Sequence, residues 1–470
     1  MKRYRLAALL LAVFLLVGCA PKRTVTVEQI TTQAPSQTTV TTTETMETTG
    51  IADMTEVITE TSSSTTGTSV KRTTTTKRTT TVTTTVTTTV TTTTTRTTTT
   101  TPPVSVGNEM RGAWVSYIEL AEALQKCSTA AQARTALDAM MKSLAARRIN
   151  TVFFHVRANS DAYYDSDIFA PAAAVSKLLA AGFDPLAYAV QAAHRNGMEL
   201  HAWVNPYRVG SNKAYLVSNI PTLTDASGKY YYVPTSKKAQ TLILNGIREI
   251  LNKYDVDGIQ YDDYFYPQDT LAATTVYSFE SADYTAYKNG GGKLSLADWR
   301  RAGVDELIAG THTLTAAKGV VFGVSPAVSA DNTYTSLYAD CRKWLAQSGY
   351  VDYLCPQIYT GFEHSSSPFE TMVEKWQSYP RHSSVKLYVG VALYKIGLKS
   401  DTYAGTKGKT EWVKNDDVMK RSVECLRKKK IAGIAFYSYS YFDPASKAGL
   451  SATADVSVAK KEIENLMEVL

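Results

Sequence analysis

The sequence predicts a (β/α)₈ barrel for residues 106–470, on three observations. From about residue 107 onward, eight short apolar runs alternate with eight segments of helical period, the count of a barrel in which each strand is followed by a helix. The runs are almost continuously apolar, as parallel strands covered on both faces must be. No glycine-rich loop follows the first run, which counts against a doubly wound dinucleotide-binding sheet.

In chain order, the strands are expected at 112–118, 151–157, 199–205, 258–263, 320–325, 353–357, 387–392 and 433–438. Each has the length and the β-branched and aromatic content of a strand. Helical period fills 129–148, 185–196, 236–254, 296–317, 336–347, 368–378 and 416–429, and a last helix at 456–470 ends the chain. Asp184 before Pro185 reads as an N-cap followed by proline in the first helical turn, and Asp443 before Pro444 reads the same way. A minimal barrel takes roughly 250 residues. The surplus falls after strand 3 (206–235) and strand 4 (264–295), in stretches rich in Tyr, Gly, Asn and Ser. Long loops at the C-terminal ends of barrel strands shape substrate clefts.

The first 105 residues are of another kind. Lys2, Arg3 and Arg5 precede an apolar run from Leu6 to Val17, too short to span a bilayer comfortably, so it reads as the core of a signal peptide. The run ends Leu16-Val17-Gly18-Cys19, which resembles a bacterial lipobox with Cys19 as the lipidation point. Residues 1–19 are therefore expected to be a lipoprotein signal peptide, and the mature chain an extracytoplasmic protein anchored to the membrane through Cys19. Residues 20–105 are Thr-rich, with almost no aromatic or large aliphatic side chains. Nothing there repays the entropy of ordering, so a disordered tether is expected.

Charge and cysteine usage exclude more than they assign. The formal charge of +7 splits into +4 before residue 106 and +3 after it, leaving no basic footprint for nucleic acid. Cys127, Cys341, Cys355 and Cys425 form no CxxC pair, so neither zinc nor any other cofactor is expected.

Chemistry-bearing residues gather at the strand ends. Strand 2 ends with His155 and Arg157, and Asp161 follows. Strand 3 carries His201, Trp203 and Asn205, then Tyr207 and Arg208. Strand 4 carries Gln260, Asp262, Asp263, Tyr264 and Tyr266. Asp331 and Asn332 follow strand 5, Gln357 and Tyr359 end strand 6, and Glu363 comes just after. Tyr394 and Tyr437 end strands 7 and 8. Aromatic faces stack on sugar rings while amides and carboxylates bind hydroxyls, so a glycan is the expected partner. Glycosidic cleavage needs one carboxyl group to protonate the leaving oxygen and a second to stabilise or capture the anomeric centre, or to activate water. Alternation along a strand puts Gln260 and Asp262 on one face and Asp263 on the other. Asp257-Gly258-x-x-x-Asp262 resembles the fourth-strand pattern of α-amylase-like barrels, in which the last Asp is the nucleophile; the resemblance implies Asp262 as nucleophile or base, with Asp263 orienting its neighbours. Glu363 is the first candidate for the acid, and Asp331 the second.

Several blocks resemble the glycosyl-hydrolase-like 10 group of envelope lipoproteins. They are Met110-Arg111-Gly112-Ala113-Trp114-Val115, Phe154-His155-Val156-Arg157, Phe183-Asp184-Pro185-Leu186, the run from His201 to Arg208, that from Asp257 to Pro267, and Pro356-Gln357-Ile358-Tyr359. The resemblance covers nearly all of 107–470 and implies a barrel hydrolase of the bacterial envelope acting on peptide-stripped peptidoglycan strands. One departure is Ser325-Pro326-Ala327-Val328, where the group is associated with Ser-Pro-Phe-Gly. Two other readings use the same residues. A metal-dependent carbohydrate hydrolase or deacetylase would employ His155, His201 and Asp262. A catalytically silent glycan-binding barrel would need only the aromatic residues.

Overall fold

The computed structural model describes residues 109–470 except Asp269 and 446–452, together with backbone at Thr42–Thr45 and Thr85–Thr88, which pair as an antiparallel ribbon. Cys19, the signal peptide and the rest of the Thr-rich stretch lie outside the described residues. Contacts divide the chain into two units, Met1–Thr97 and Thr98–Leu470. The second contains the barrel.

Eight parallel strands form it: β1 (Met110–Val115), β2 (Thr151–Arg157), β3 (Glu199–Val204), β4 (Gly258–Asp262), β5 (Val321–Ser325), β6 (Tyr353–Leu354), β7 (Lys386–Leu387 and Val389–Val391) and β8 (Gly433–Phe436). The two pieces of β7 meet at Tyr388. The first pairs with β6 and the second with β8, and β8 pairs with β1. The interruption of β7 is thus where the sheet closes on itself. Short β6 is extended by Gln357, which bridges Ala327 on one side and Gly390 on the other.

The barrel interior is filled by Met110, Trp114, Phe153, Trp203, Tyr353, Cys355 and Ala435. Rings this large fit because glycine faces them. A Cβ at Gly323 would run into the Tyr353 ring, and one at Gly112 would stand 2.6 Å from Phe153. Outside the sheet pack α1 (Ala130–Ala146), α2 (Pro185–Arg195), α3 (Lys237–Lys253), α4 (Leu296–Ala316), α5 (Cys341–Ala346), α6 (Phe369–Ser378), α7 (Val418–Lys428) and α8 (Val456–Val469). Their apolar stripes, such as Leu137, Met141 and Leu144 of α1, form the second core layer. Asp184 caps α2 by accepting from Leu186 and Ala187 N–H, as its place before Pro185 predicts.

Two local expectations are corrected. The chain turns helical at Tyr117 rather than extending as a strand to 118, because Ser116 and Glu119 form a reciprocal capping box. Helical period over 336–347 resolves into Ala330–Ser336 and α5, separated by Tyr338 at φ +50° and restarted by the Asp340 cap. Asp443 follows a 3₁₀ turn and accepts from Ala445 N–H at 3.2 Å, and the stretch it was expected to cap runs into residues outside those described.

Both long loops are structured. After β3, Arg208–Gly210, Thr222–Thr224 and Tyr230–Tyr232 make a three-stranded antiparallel sheet with Tyr230–Tyr232 in the middle. The loop after β4 is fastened by Arg300 of α4. Its guanidinium is fully buried against Glu280 and donates to the Tyr338 hydroxyl and the Ala272 and Thr275 carbonyls, each at 2.9 Å.

Candidate active site

The site is built on the end of β4. This strand runs in unbroken register with β5, from Gly258 opposite Val321 to Asp262 opposite Ser325. Alternation therefore holds, and Gly258, Gln260 and Asp262 all face the barrel axis. Gln357 Nε2 donates to Asp262 Oδ1 at 2.8 Å and to the Ser325 carbonyl at 3.0 Å, bracing Asp262 from the rim of β6. The strand stops at Asp262 and the chain bends at Asp263, whose own N–H donates to Asp262 Oδ1 at 2.9 Å.

Past that bend the two carboxyl groups still act on each other's charge, although alternation would send them to opposite faces. Burial raises both above the usual carboxylate range. Asp263 is pushed furthest, because the charge of Asp262 adds to its desolvation. For Asp262 the donors at Asp263 and Gln357, and the Arg208 guanidinium, oppose the rise. Of the two, Asp263 is therefore the one held more strongly toward its protonated form and Asp262 the one that ionises first.

A cleft of about 480 Å³ opens beside the pair, lined by Asp263, Tyr264, Tyr266 and Gln357 from the barrel and by Asp225 and Tyr231 from the sheet after β3. Arg208 lies over the Tyr264 ring at 4.8 Å and near Tyr117 at 5.9 Å. Tyr437 and Tyr359 stack with centroids 5.7 Å apart, and Tyr394 meets both edge-on. His155 stacks on Trp203 at 3.6 Å. Burial, and Arg208 nearby, hold His155 well below its usual pKa, so it is neutral. His155 Nε2, Trp203 Nε1, Asn205 Oδ1 and Arg208 Nε are buried without a hydrogen-bond partner. Unmet polar atoms cost about 1–3 kcal/mol each unless something completes them. Sugar hydroxyls and amides are groups of the right kind.

A family profile described as "Glycosyl hydrolase-like 10" matches residues 109–405. The chain belongs to this family. Among its relatives, glycosyl hydrolase DigH of Escherichia coli K12 is 30% identical over 352 residues, 66% of this chain and 77% of DigH. Glycosyl hydrolase YngK of Bacillus subtilis is 29% identical over 328 residues, 62% of either chain. Of solved structures, the PgaB (BpsB) glycoside hydrolase domain from Bordetella bronchiseptica superposes with a TM-score of 0.51 at 11% identity, covering 72% of this chain and 97% of that domain. That likeness carries the barrel fold. Family membership makes the chain a glycoside hydrolase.

Seen as a member of the glycosyl hydrolase-like 10 family, the chain distributes the residues expected from sequence unevenly. Asp263, Tyr264, Tyr266 and Gln357 line the cleft, Asp262 is hydrogen-bonded to Gln357, and Arg208, Tyr359 and Tyr437 lie near Asp262, with Tyr394 against the two tyrosines. Gln260 lies one layer below Asp262, where its Oε1 accepts from Trp114 Nε1 at 3.4 Å.

Others are engaged elsewhere. His201 pairs across from Gly258, four residues below Asp262 and so about 13 Å down the barrel; its Nδ1 meets the Tyr353 hydroxyl at 2.9 Å. Arg157 is turned out of the interior by a register shift after His155, which leaves it opposite outward-facing Val204. There it packs over Phe169 at 4.5 Å and donates to the Pro206 carbonyl. Asp161 is buried in the loop below, accepting from Asn159 N–H at 2.8 Å. Tyr207 is wholly buried, with its hydroxyl on the Pro234 carbonyl. Asn332 accepts from Ser336 within its own short helix.

Neither proposed acid sits in the cleft. Asp331 is exposed, and its two oxygens are taken by Arg342 at 2.9 Å and Lys375 at 2.7 Å, which keep it ionised. Glu363 is exposed and does not line the cleft; its backbone N–H is held by Glu411. Among the described residues no three His, Cys, Asp or Glu side chains are grouped to hold a metal, and His155, His201 and Asp262 lie at different depths.

Sequence reasoning missed Glu119. This buried carboxylate accepts from Ser116 N–H, and from Ser438 Oγ, Ser440 Oγ and Ser440 N–H, each at 2.7 Å. It clasps the loop after β1 to that after β8, beside Tyr437. The Ser-x-x-Glu spacing of a capping box was the available signal. Asp225 was missed because only the fold of the loop after β3 brings it, with Tyr231, back to the cleft beside β4.

Proposed function

We propose that this glycoside hydrolase cleaves cell-envelope polysaccharide, with peptide-stripped peptidoglycan strands as substrate, from an extracytoplasmic position anchored through Cys19. The observation that carries the catalytic part is the neighbouring pair Asp262 and Asp263, with Asp263 lining an aromatic-walled cleft and Asp262 braced by Gln357 of that cleft. Asp263 donates its proton to the leaving oxygen. Asp262 carries the negative charge that the oxocarbenium-like centre requires. Tyr359, Tyr394 and Tyr437 offer ring faces to the sugars, while Arg208 and Asn205 bind their polar substituents. The choice of glycan is supported by the family resemblance and by the lipobox-like leader.

The test is release of soluble sugar from peptide-stripped strands by the purified chain, beside Asp262→Asn and Glu363→Gln. Loss of turnover by about 10²-fold or more in Asp262→Asn, with Glu363→Gln near wild type, is the expected result. Turnover that survives Asp262→Asn would reject the assignment. Strands left intact by the wild-type chain would reject the substrate.

A further inference from the structure

We infer that Arg208 reads a free carboxylate on a sugar bound at the cleft, so that the enzyme takes acidic glycan strands and disfavours the same strands with that acid amidated. This deepens the glycosidase reading and rests on it. In peptide-stripped peptidoglycan the group is the lactyl carboxylate, which an amide bond to the stem peptide otherwise consumes. Removal of the peptide then becomes a precondition for efficient cleavage.

The argument begins with how Arg208 is held. Three elements set aromatic side chains around it. The Tyr264 ring, from the loop after β4, lies 4.8 Å from its guanidinium carbon, and the Tyr117 ring, just past β1, lies 5.9 Å away. Tyr231, in the middle strand of the sheet after β3, is its antiparallel partner. Rings steady a guanidinium without using up its N–H donors. Asp262 is near enough to feel the charge, but no described residue forms a salt bridge with Arg208, and its Nε is buried without a partner. The residue as a whole is half-buried, so its terminal nitrogens are the end that a ligand reaches.

Arginines that serve the fold look different. Arg147 donates to the Ser143 and Phe442 carbonyls, each at 3.0 Å. Arg300 pairs with Glu280 and donates to the Ala272 and Thr275 carbonyls, each at 2.9 Å. Arg208 is oriented by rings and left open.

Charge decides what it takes. Among the described residues lining the cleft, Asp225 and Asp263 are acidic and none is basic. A carboxylate set between those two is repelled, whereas one set beside Tyr264 meets Arg208. Lys395 is no alternative, being engaged by Asp401 at 2.8 Å and the Tyr359 carbonyl at 2.9 Å. The planar fork of a guanidinium matches the two oxygens of a carboxylate, and such charge-assisted pairs are about twice as strong as neutral hydrogen bonds. A hydroxyl or an amide carbonyl would leave the charge unmet.

The experiment uses peptide-stripped strands in two forms, one with free lactyl carboxylates and one with those groups converted to methylamides. The wild-type full chain and Arg208→Gln are compared on both by kcat/KM for sugar release. The inference expects wild type to favour the free acid by about 30-fold or more, the scale of a desolvated charge pair that loses one partner. Arg208→Gln should cleave both forms at one similar, low rate. A merely structural arginine would lower both rates together and keep the preference. That result, or wild-type cleavage of both forms alike, would overturn the inference and leave the glycosidase reading standing. The wild-type comparison holds even if the variant does not fold. If wild type leaves both forms intact, the proposed substrate falls and this inference with it.

Discussion

Burial and the charge of Asp262 push the Asp263 carboxyl well above its usual range, and that arrangement costs the fold something. The unfolded chain releases the carboxyl proton near pH 3.9, whereas the folded chain holds it well above. Between those two values folding must take up a proton, so the contribution of Asp263 to stability falls as pH rises through this window. Asparagine removes the cost. Asp263→Asn is therefore expected to raise Tm at pH 7, with the gain shrinking below about pH 4, while turnover drops by about 10²–10⁴-fold. Thermal melts at both pH values check this, and a lower Tm at pH 7 would count against the protonated form. Gln357 acts in the opposite sense, since its amide favours the ionised carboxylate. With Gln357→Leu the pKa of Asp262 climbs, and the acidic limb of the pH–rate profile moves to higher pH. An unmoved limb would mean that Asp262 does not titrate in the active form.

At the scale of elements, the sequence was most legible where strands keep their alternation. In β4 the spacing of Gly258, Gln260 and Asp262 sufficed to place all three on the axis. In β2 the same reasoning misplaces Arg157, because one register shift after His155 exchanges the two faces. No residue type marks that shift, whereas the cap at Asp184 and the box at Ser116 and Glu119 are written in local spacing. Loop anchors were illegible for another reason: Arg300, Glu280 and Tyr338 meet only once the loop has folded. Arg300→Met leaves Glu280 buried without its cation, a change that typically costs about 3–5 kcal/mol. Chemical denaturation is expected to show that loss, together with a raised KM, since Tyr264, Tyr266 and Thr270 of the same loop line the cleft. Unchanged stability would show that Glu280 takes up a proton and needs no partner.

At the scale of the whole molecule, the proposed catalysis and the proposed attachment fall on different parts of one chain. Barrel, interrupted β7, tyrosines and neighbouring aspartates all lie within 109–470. Among the described residues no helix is long and apolar enough to cross a membrane; the attachment we propose is through lipid on Cys19, which lies outside them. Acyl chains contribute about 0.8 kcal/mol per buried CH₂, and more than one chain is needed for stable anchoring; a diacylglyceryl group supplies them, while a bare leader cut at the same place supplies none. Cys19→Ala expressed in a bacterial host is expected to move the protein from the membrane fraction to the soluble extracytoplasmic fraction. Turnover per mole on soluble strands should stay the same, because the substitution leaves the barrel untouched. Attack on intact cell wall should drop, since the enzyme is no longer held beside it. A variant that stays with the membrane through a high-salt wash would mean that something other than Cys19 holds it. A variant that stays in the cytoplasm would mean that export itself depends on that cysteine.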